Sequence, residues 1–270
     1  FELFKKNPFI DNVILDRRLS RFNLIYLYQL TRILKNFNFE KIYDLQNSSR
    51  TTFYKNILFP KAKFDKWSSS ETTLPSDIKK TEFNKNSVLD RFNHQLKISG
   101  LNTLNTMKPD FNWACTNIDN IKNEYDLKEY IVIFPFCSPH LSIKKWPYYN
   151  ELIELIRNKH KGKFKVVVAP GPLEIKETKN INAISVLNGE KILDIPQLSS
   201  LIKDSSFVIA NDTGPAHIAA HLGVKGLTLF GKHTTAFKVS IERKNFKAIQ
   251  VEDLSKLSAE KVLEKLSSII

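Results

Sequence analysis

Asp212, Thr213, Gly214, Pro215, Ala216 and His217 stand in one run, "NDTGPAHIAAHLG", directly after the apolar stretch "SSFVIA". Those residue types in that order suit the start of a helix that handles an anion. Pro215 fits the first helical turn, where its missing N–H costs nothing, and Gly214 lets a ligand come close to the backbone. The amides of Ala216 and His217 are expected to face outward with the positive end of the helix dipole, a setting that suits a phosphate. Thr213 adds a hydroxyl and His217 an imidazole. Asp212 repels a phosphate by charge, and is read as holding the turn or accepting a hydrogen bond from a sugar hydroxyl. The competing reading is a capped core helix in which Asp212 and Thr213 satisfy backbone donors and His217 is structural.

Such a run needs a sheet behind it. The apolar strand pattern "YIVIFPF" (130–136) is followed by an amphipathic helix at 146–160, and "FKVVVAP" (164–170) has the β-branched character of a central parallel strand buried on both faces. Then come a short helix in "PLEIKETKN", a short strand "AISVL", a Pro-started helix "IPQLSSLIKDS", the strand "SFVIA", the helix "PAHIAAHLG" and the strand "GLTLF". Strands alternating with helices call for a parallel, doubly wound α/β sheet, whose ligands bind beyond the carboxyl ends of the strands. Ahead of this series the pattern predicts a helix over 19–37, a strand over 41–46, a capped helix in "SSRTTFYKNILF", an edge strand in "AKFDKW", a long polar loop over 68–86 and a helix over 88–101. Periodicity fades from 102 to 129, which reads as a linker. The expected division is a first domain over 1–125 and a second over 126–270, the last helix packing back on the first.

Composition narrows the partners. With 42% hydrophobic and 26% charged residues in 270, the chain can build a core, and two modest domains fit that length. The formal charge of +13 favours anionic partners: nucleic acid, a membrane surface or phosphorylated small molecules. No stretch interleaves basic and aromatic residues as a nucleic-acid groove would. "RRLSR" at 17–21 and the lysines at 61, 63 and 66 are the basic clusters, read either as a solvated face or as a contact for membrane or phosphosugar. Cys115 and Cys137 read as free thiols of a reducing compartment, too few and too far apart for a metal site. No apolar run reaches the roughly 18–20 residues of a membrane span, and no signal-peptide pattern leads the chain, so a cytoplasmic location is expected. The sequence enters apolar alternation at Phe1, as though its beginning lay upstream.

The stretch "IPQLSSLIKDSSFVIANDTGPAHIAAHLGVKGLTLFG" closely resembles the signature of glycosyltransferase family 9, the ADP-heptose:lipopolysaccharide heptosyltransferases. "KKWPYYNELIELI" is similar to the family's K-x-W-P segment, with Lys144 in the matching place; "IYDLQNSSRT" is similar to its DLQ-x-x-x-R segment, "SVLDRFNHQLKISGL" to the helix that follows, and "LFKKNPFIDNVIL" to a stretch of the second βα unit. The likeness runs from residue 3 to about residue 265. It implies a GT-B architecture of two Rossmann-like domains with parallel sheets, the first lacking its opening βα unit, and the nucleotide-sugar donor held by the second.

It also implies an inverting, metal-independent transfer with no cofactor: heptose passes from ADP-heptose to a lipopolysaccharide core acceptor on a lipid-linked glycan, at the cytosolic face of the inner membrane. Lys144 and the turn from Asp212 to His217 are the implied donor site. Ser138 and His140 are placed to reach the diphosphate, Glu174 the ribose, and Thr234 and Thr235 to add a hydroxyl. The family's catalytic carboxylate belongs to a G-D loop in the first βα unit, roughly fifty residues upstream on the size of such units. Asp11 and Asp16 flank an expected strand of the second unit and do not replace it. Another GT-B enzyme using a different nucleotide sugar, transferase or epimerase, and a truncated non-catalytic nucleotide-binding module remain as alternatives.

Overall fold

The computed structural model describes residues 2–59 and 66–269. The chain divides into two units, one over residues 11–108 and one over 109–270 that also takes in residues 2–10. The helix α1 (Glu2–Lys5) belongs to the latter, where Phe4 lies against Trp113 with ring centroids 6.2 Å apart.

The first unit holds α2 (Leu24–Lys35), β1 (Ile42–Tyr43), α3 (Ser49–Leu58), β2 (Trp67–Ser68), α4 (Lys80–Phe83) and α5 (Val88–Ile98). The expected helix over 19–37 begins only at Leu24, because the Asn23 side chain accepts the Tyr26 N–H and caps it there. β1 is shorter than the 41–46 run, since the Asp44 carboxylate turns back to accept the N–H groups of Gln46 and Asn47. β1 and β2 pair in parallel; residues 62–65 of the expected edge strand, and the basic residues Lys61 and Lys63, lie outside the described residues. The expected polar loop over 68–86 is partly folded: α4 buries Phe83, and Ser68, Ser69 and Thr73 are buried too. The strand expected between Asp11 and Asp16 does not form: residues 11–20 carry no regular structure.

The second unit holds α6 (Asp119–Glu124), β3 (Tyr130–Phe134), α7 (Tyr149–Lys159), β4 (Lys165–Val168), β5 (Ile184–Ser185), α8 (Ile195–Lys203), β6 (Phe207–Asn211), α9 (Gly214–Leu222), β7 (Gly226–Phe230), α10 (Ala236–Val239), β8 (Phe246–Gln250) and α11 (Ala259–Ser267). Its six strands are all parallel, in the order β5-β4-β3-β6-β7-β8. That is the doubly wound order 3-2-1-4-5-6, whose winding reverses between β3 and β6. Every residue of β3, β6 and β7 is buried, as central strands covered on both faces must be.

Residues 109–124 group with this unit, ahead of the 125/126 boundary read from the sequence. Ile118 and Ile121 are buried in its core beside Leu201 and Ile202, and the Thr116 N–H donates to Ser200 Oγ at 2.8 Å. The final helix, α11, buries Ala259, Val262 and Leu266 in the cluster that also contains Ile153 and Ile156 of α7, so its apolar face is occupied within the second unit. β8 and α10 have no counterpart in the sequence reading.

Candidate functional site

The switch point between β3 and β6 is built around Asn211, the last residue of β6, which is fully buried. Its Nδ2 donates to Pro135 O at 2.9 Å, and its Oδ1 accepts from Tyr149 Oη at 3.2 Å and from the Trp146 amide at 3.4 Å. One side chain thus ties the end of β6 to the segment after β3 and to the first residue of α7. Trp146 is anchored a second time, its indole N–H donating to Leu257 O at 2.8 Å. Between these anchors the chain forms a 3-10 turn, Pro139–Lys144, which delivers Lys144 to the start of α9.

There the Lys144 Nζ meets Asp212 Oδ2 at 2.6 Å and Asp212 O at 3.4 Å. The adjacent Lys145 points away and pairs with Glu177 on the surface. The Asp212 side chain is 5% exposed, and two imidazoles close on it: His233 Nε2 lies 3.1 Å from Oδ2, and His217 Nε2 lies 3.6 Å from Oδ1. Burial alone would raise the pKa of this carboxyl, but His217, Lys144 and His233 outweigh burial and hold it well below the usual carboxylate range. Asp212 is therefore an ionised anchor for a cation and two imidazoles, which replaces the expectation that it holds the turn or receives a sugar hydroxyl.

α9 starts as the sequence suggests, with Thr213 at the N-cap and Pro215 in the first turn, and it ends at Gly223 in the left-handed region. The backbone donors differ from expectation. With Thr213 as N-cap, His217 is the fourth helical residue, and its N–H closes the first intrahelical bond to Thr213 O at 3.4 Å; the Ala216 N–H turns to the same oxygen at 3.1 Å. Amides without an intrahelical partner at this end are those of Thr213 and Gly214, since Pro215 has none. Gly214 is exposed, while the Ala216 side chain is buried in the core.

Beside this corner lies a cavity of about 290 Å³ lined by Phe134, Phe136, Glu174, Leu198, Thr213 and Pro215, with further apolar walls from the segments after β4 and before α8. Glu174 closes its own turn, Oε2 accepting the Gly171 N–H at 2.7 Å, and is half-buried at the cavity edge. Ser138 and His140 are not drawn into the hydrogen-bonded cluster: both are exposed, Ser138 leading the 3-10 turn and accepting the Leu141 N–H through its carbonyl. Thr235 instead caps α10, and the Thr234 carbonyl accepts from Gln250 Nε2. His233 was missed by sequence reasoning; its signal is its place just beyond β7, at the ligand-facing end of the sheet.

In the first unit Asp16 is engaged in a lock. Its carboxylate accepts from the Tyr26 hydroxyl, from Tyr54 Oη at 2.8 Å and from the Arg18 N–H at 2.8 Å, and Arg50 Nε stands 3.4 Å away. Burial opposes its ionisation, and these partners overcome it, leaving the pKa lowered. A carboxylate so occupied is poorly suited to take a proton. Among the described residues no His, Cys, Asp or Glu cluster has the arrangement to hold a metal ion, and no helix is long and apolar enough to cross a membrane.

Residues 27–266 match the family described as "Glycosyltransferase family 9 (heptosyltransferase)". The structure of E. coli heptosyltransferase WaaC with ADP superposes with a TM-score of 0.66 at 18% identity, over 93% of this chain and 79% of that one. The family 9 glycosyl transferase from Veillonella parvula DSM 2008 gives 0.73 at 14% identity, over 99% and 86%. The chain spans half the length of E. coli ADP-heptose lps heptosyltransferase II, with a TM-score of 0.46 and 20% identity over 56% of this chain. No curated protein matches the chain. At these identities the similarity to WaaC and to the Veillonella protein is one of fold, and the α/β unit with its six parallel strands is that fold.

Proposed function

From the premise that the chain belongs to glycosyltransferase family 9, we propose that it is an inverting glycosyltransferase holding a nucleotide sugar, ADP-heptose, at the carboxyl ends of β3 and β6. The observation that carries this reading is the convergence of Lys144 and His217 on Asp212 at the start of α9, whose first residues Thr213 and Pro215 line an apolar cavity at the switch point. The cavity accepts a nucleobase between Phe134, Phe136 and Leu198, with the Glu174 carboxylate at its edge for ribose hydroxyls. The diphosphate then lies over Thr213 and Gly214, within reach of their amides, which have no intrahelical partner, of the Lys144 ammonium and of the His217 imidazole; the Thr213 hydroxyl, which donates to Asn211 O at 3.3 Å, would turn from that carbonyl to join them.

In the transfer an acceptor hydroxyl attacks the anomeric carbon, the bond from that carbon to the diphosphate oxygen breaks, and the nucleoside diphosphate departs with the electron pair. The hydroxyl proton goes to a general base that the described residues do not identify. Charge developing on the departing oxygen is met by Lys144 and His217, preorganised by Asp212, which does the work a divalent cation does in metal-dependent transferases. The proposed acceptor is a lipopolysaccharide core on a lipid-linked glycan. The +13 formal charge and the exposed Arg17, Arg18 and Arg21 support approach to an anionic membrane surface from the cytoplasm.

Calorimetric titration with ADP, UDP and GDP tests the reading. ADP is expected to bind most tightly, and Lys144→Ala and His217→Ala each to weaken it about ten-fold or more, the scale of one charge-assisted hydrogen bond. Unchanged affinity in both variants would sink the assignment.

A further inference from the structure

We propose that His233 is a positioning residue of the donor site, holding Asp212 Oδ2 so that the Lys144 ammonium stays directed at the start of α9 with hydrogen-bonding capacity left for a diphosphate. The inference rests on the nucleotide-sugar reading above. It assigns a role to a residue outside the D-T-G-x-x-H run, in the "KHTTAF" segment that follows β7.

Three features carry it. The His233 side chain is 9% exposed and its ring lies nearly parallel to that of Phe230, 16° between planes with centroids 6.0 Å apart, so its direction is fixed by packing. Its Nε2 stands 3.1 Å from Asp212 Oδ2, the same oxygen that Lys144 Nζ meets at 2.6 Å. An ionised carboxylate only accepts, so the proton of this contact sits on Nε2. Finally, His233 Nδ1 is buried without a hydrogen-bond partner among the described residues. An unpaired buried nitrogen is a cost that Leu or Met at this place would not carry, which points to a purpose at the other nitrogen.

That purpose follows from sharing. His217 stands 3.6 Å from Oδ1, beyond a good hydrogen bond, so Oδ2 is the oxygen that binds donors tightly, and it binds two. With His233 removed, Lys144 becomes the sole close donor to a buried carboxylate. The pair tightens, and the carboxylate competes with an incoming phosphate for the same ammonium. With His233 present, part of the Oδ2 charge is met by the imidazole, and Lys144 keeps an N–H for the ligand.

The test is ADP titration of the intact chain in a double-mutant cycle. His233→Phe keeps a ring against Phe230 and deletes the N–H; it should weaken ADP about ten-fold, with the melting temperature followed in parallel. His233→Gln, which returns an N–H at similar reach, should recover affinity to within about three-fold of wild type. In an Asp212→Asn background the His233→Phe loss should shrink to about two-fold or less, because the carboxylate through which it acts is gone. Should His233→Phe not fold, His233→Ala takes its place in the same cycle. Wild-type affinity in the His233 variant would overturn the inference alone. A loss of the same size in the Asp212→Asn background would overturn it too, by showing that the imidazole touches the ligand itself. Failure of the wild type to bind ADP, UDP or GDP would instead overturn the nucleotide-site reading, and the inference with it.

Discussion

Lys144 and Asp212 depend on each other unequally. Lys144 retains access to water at 20% side-chain exposure, whereas Asp212, at 5%, has almost none. Lys144→Ala therefore strands a buried negative charge on two imidazoles and is expected to cost about 2–4 kcal/mol of stability, read from urea or thermal melts; adding Asp212→Asn should recover most of that loss. The sign with pH is fixed by the lowered Asp212 pKa: its contribution is full above the ordinary carboxylate value of 3.8 and is lost on acidification below it. At this scale the sequence was informative where partners are local. Thr213, Gly214, Pro215 and His217 lie within five positions and announce a helix start, but the ion pair spans 68 positions and the His233 contact 21. Neither has a period to betray it. The amides of Ala216 and His217 were misjudged because helix numbering, not proximity to the Gly-Pro step, decides which N–H groups stay unbonded.

Elements carry the next layer of argument. α9 delivers His217 at one end and leaves His221 half-buried near the other, where desolvation first, then Arg243 and His217, lower the His221 pKa from 6.5 to about 4. A neutral imidazole is thus favoured in the folded state, so folding loses stability as pH falls from about 6.5 to about 4, by roughly 1–3 kcal/mol for a group that is partly solvated. His221→Gln should flatten that part of the stability curve in melts run across the interval. The strands and helices of the second unit were legible because their apolar runs are long and bounded by Gly or Pro. Residues 109–124 were not: Ile118 and Ile121 are two apolar residues among polar neighbours, and only the shape of the core against which they pack gives them weight. β8 escaped notice for a related reason, since as an edge strand it buries Phe246 fully and little else, leaving no continuous apolar signature.

For the whole molecule, the division at residue 109 places every member of the Lys144, Asp212, His217 and His233 cluster, and the cavity beside it, in one unit. A chain from Pro109 onward is expected to fold and to bind ADP within about three-fold of the full protein, as titration of the fragment would show, because the unit has its own core on both faces of its sheet. The buried Asn211 sets how that unit can behave. It fastens the end of β6, the segment after β3 and the first turn of α7 with three hydrogen bonds at once. Whatever rearrangement accompanies turnover, the corner that bears Lys144 and the turn that bears Thr213 must travel as one block. Their alignment is settled while the chain folds, and it need not be assembled afresh each time a ligand arrives.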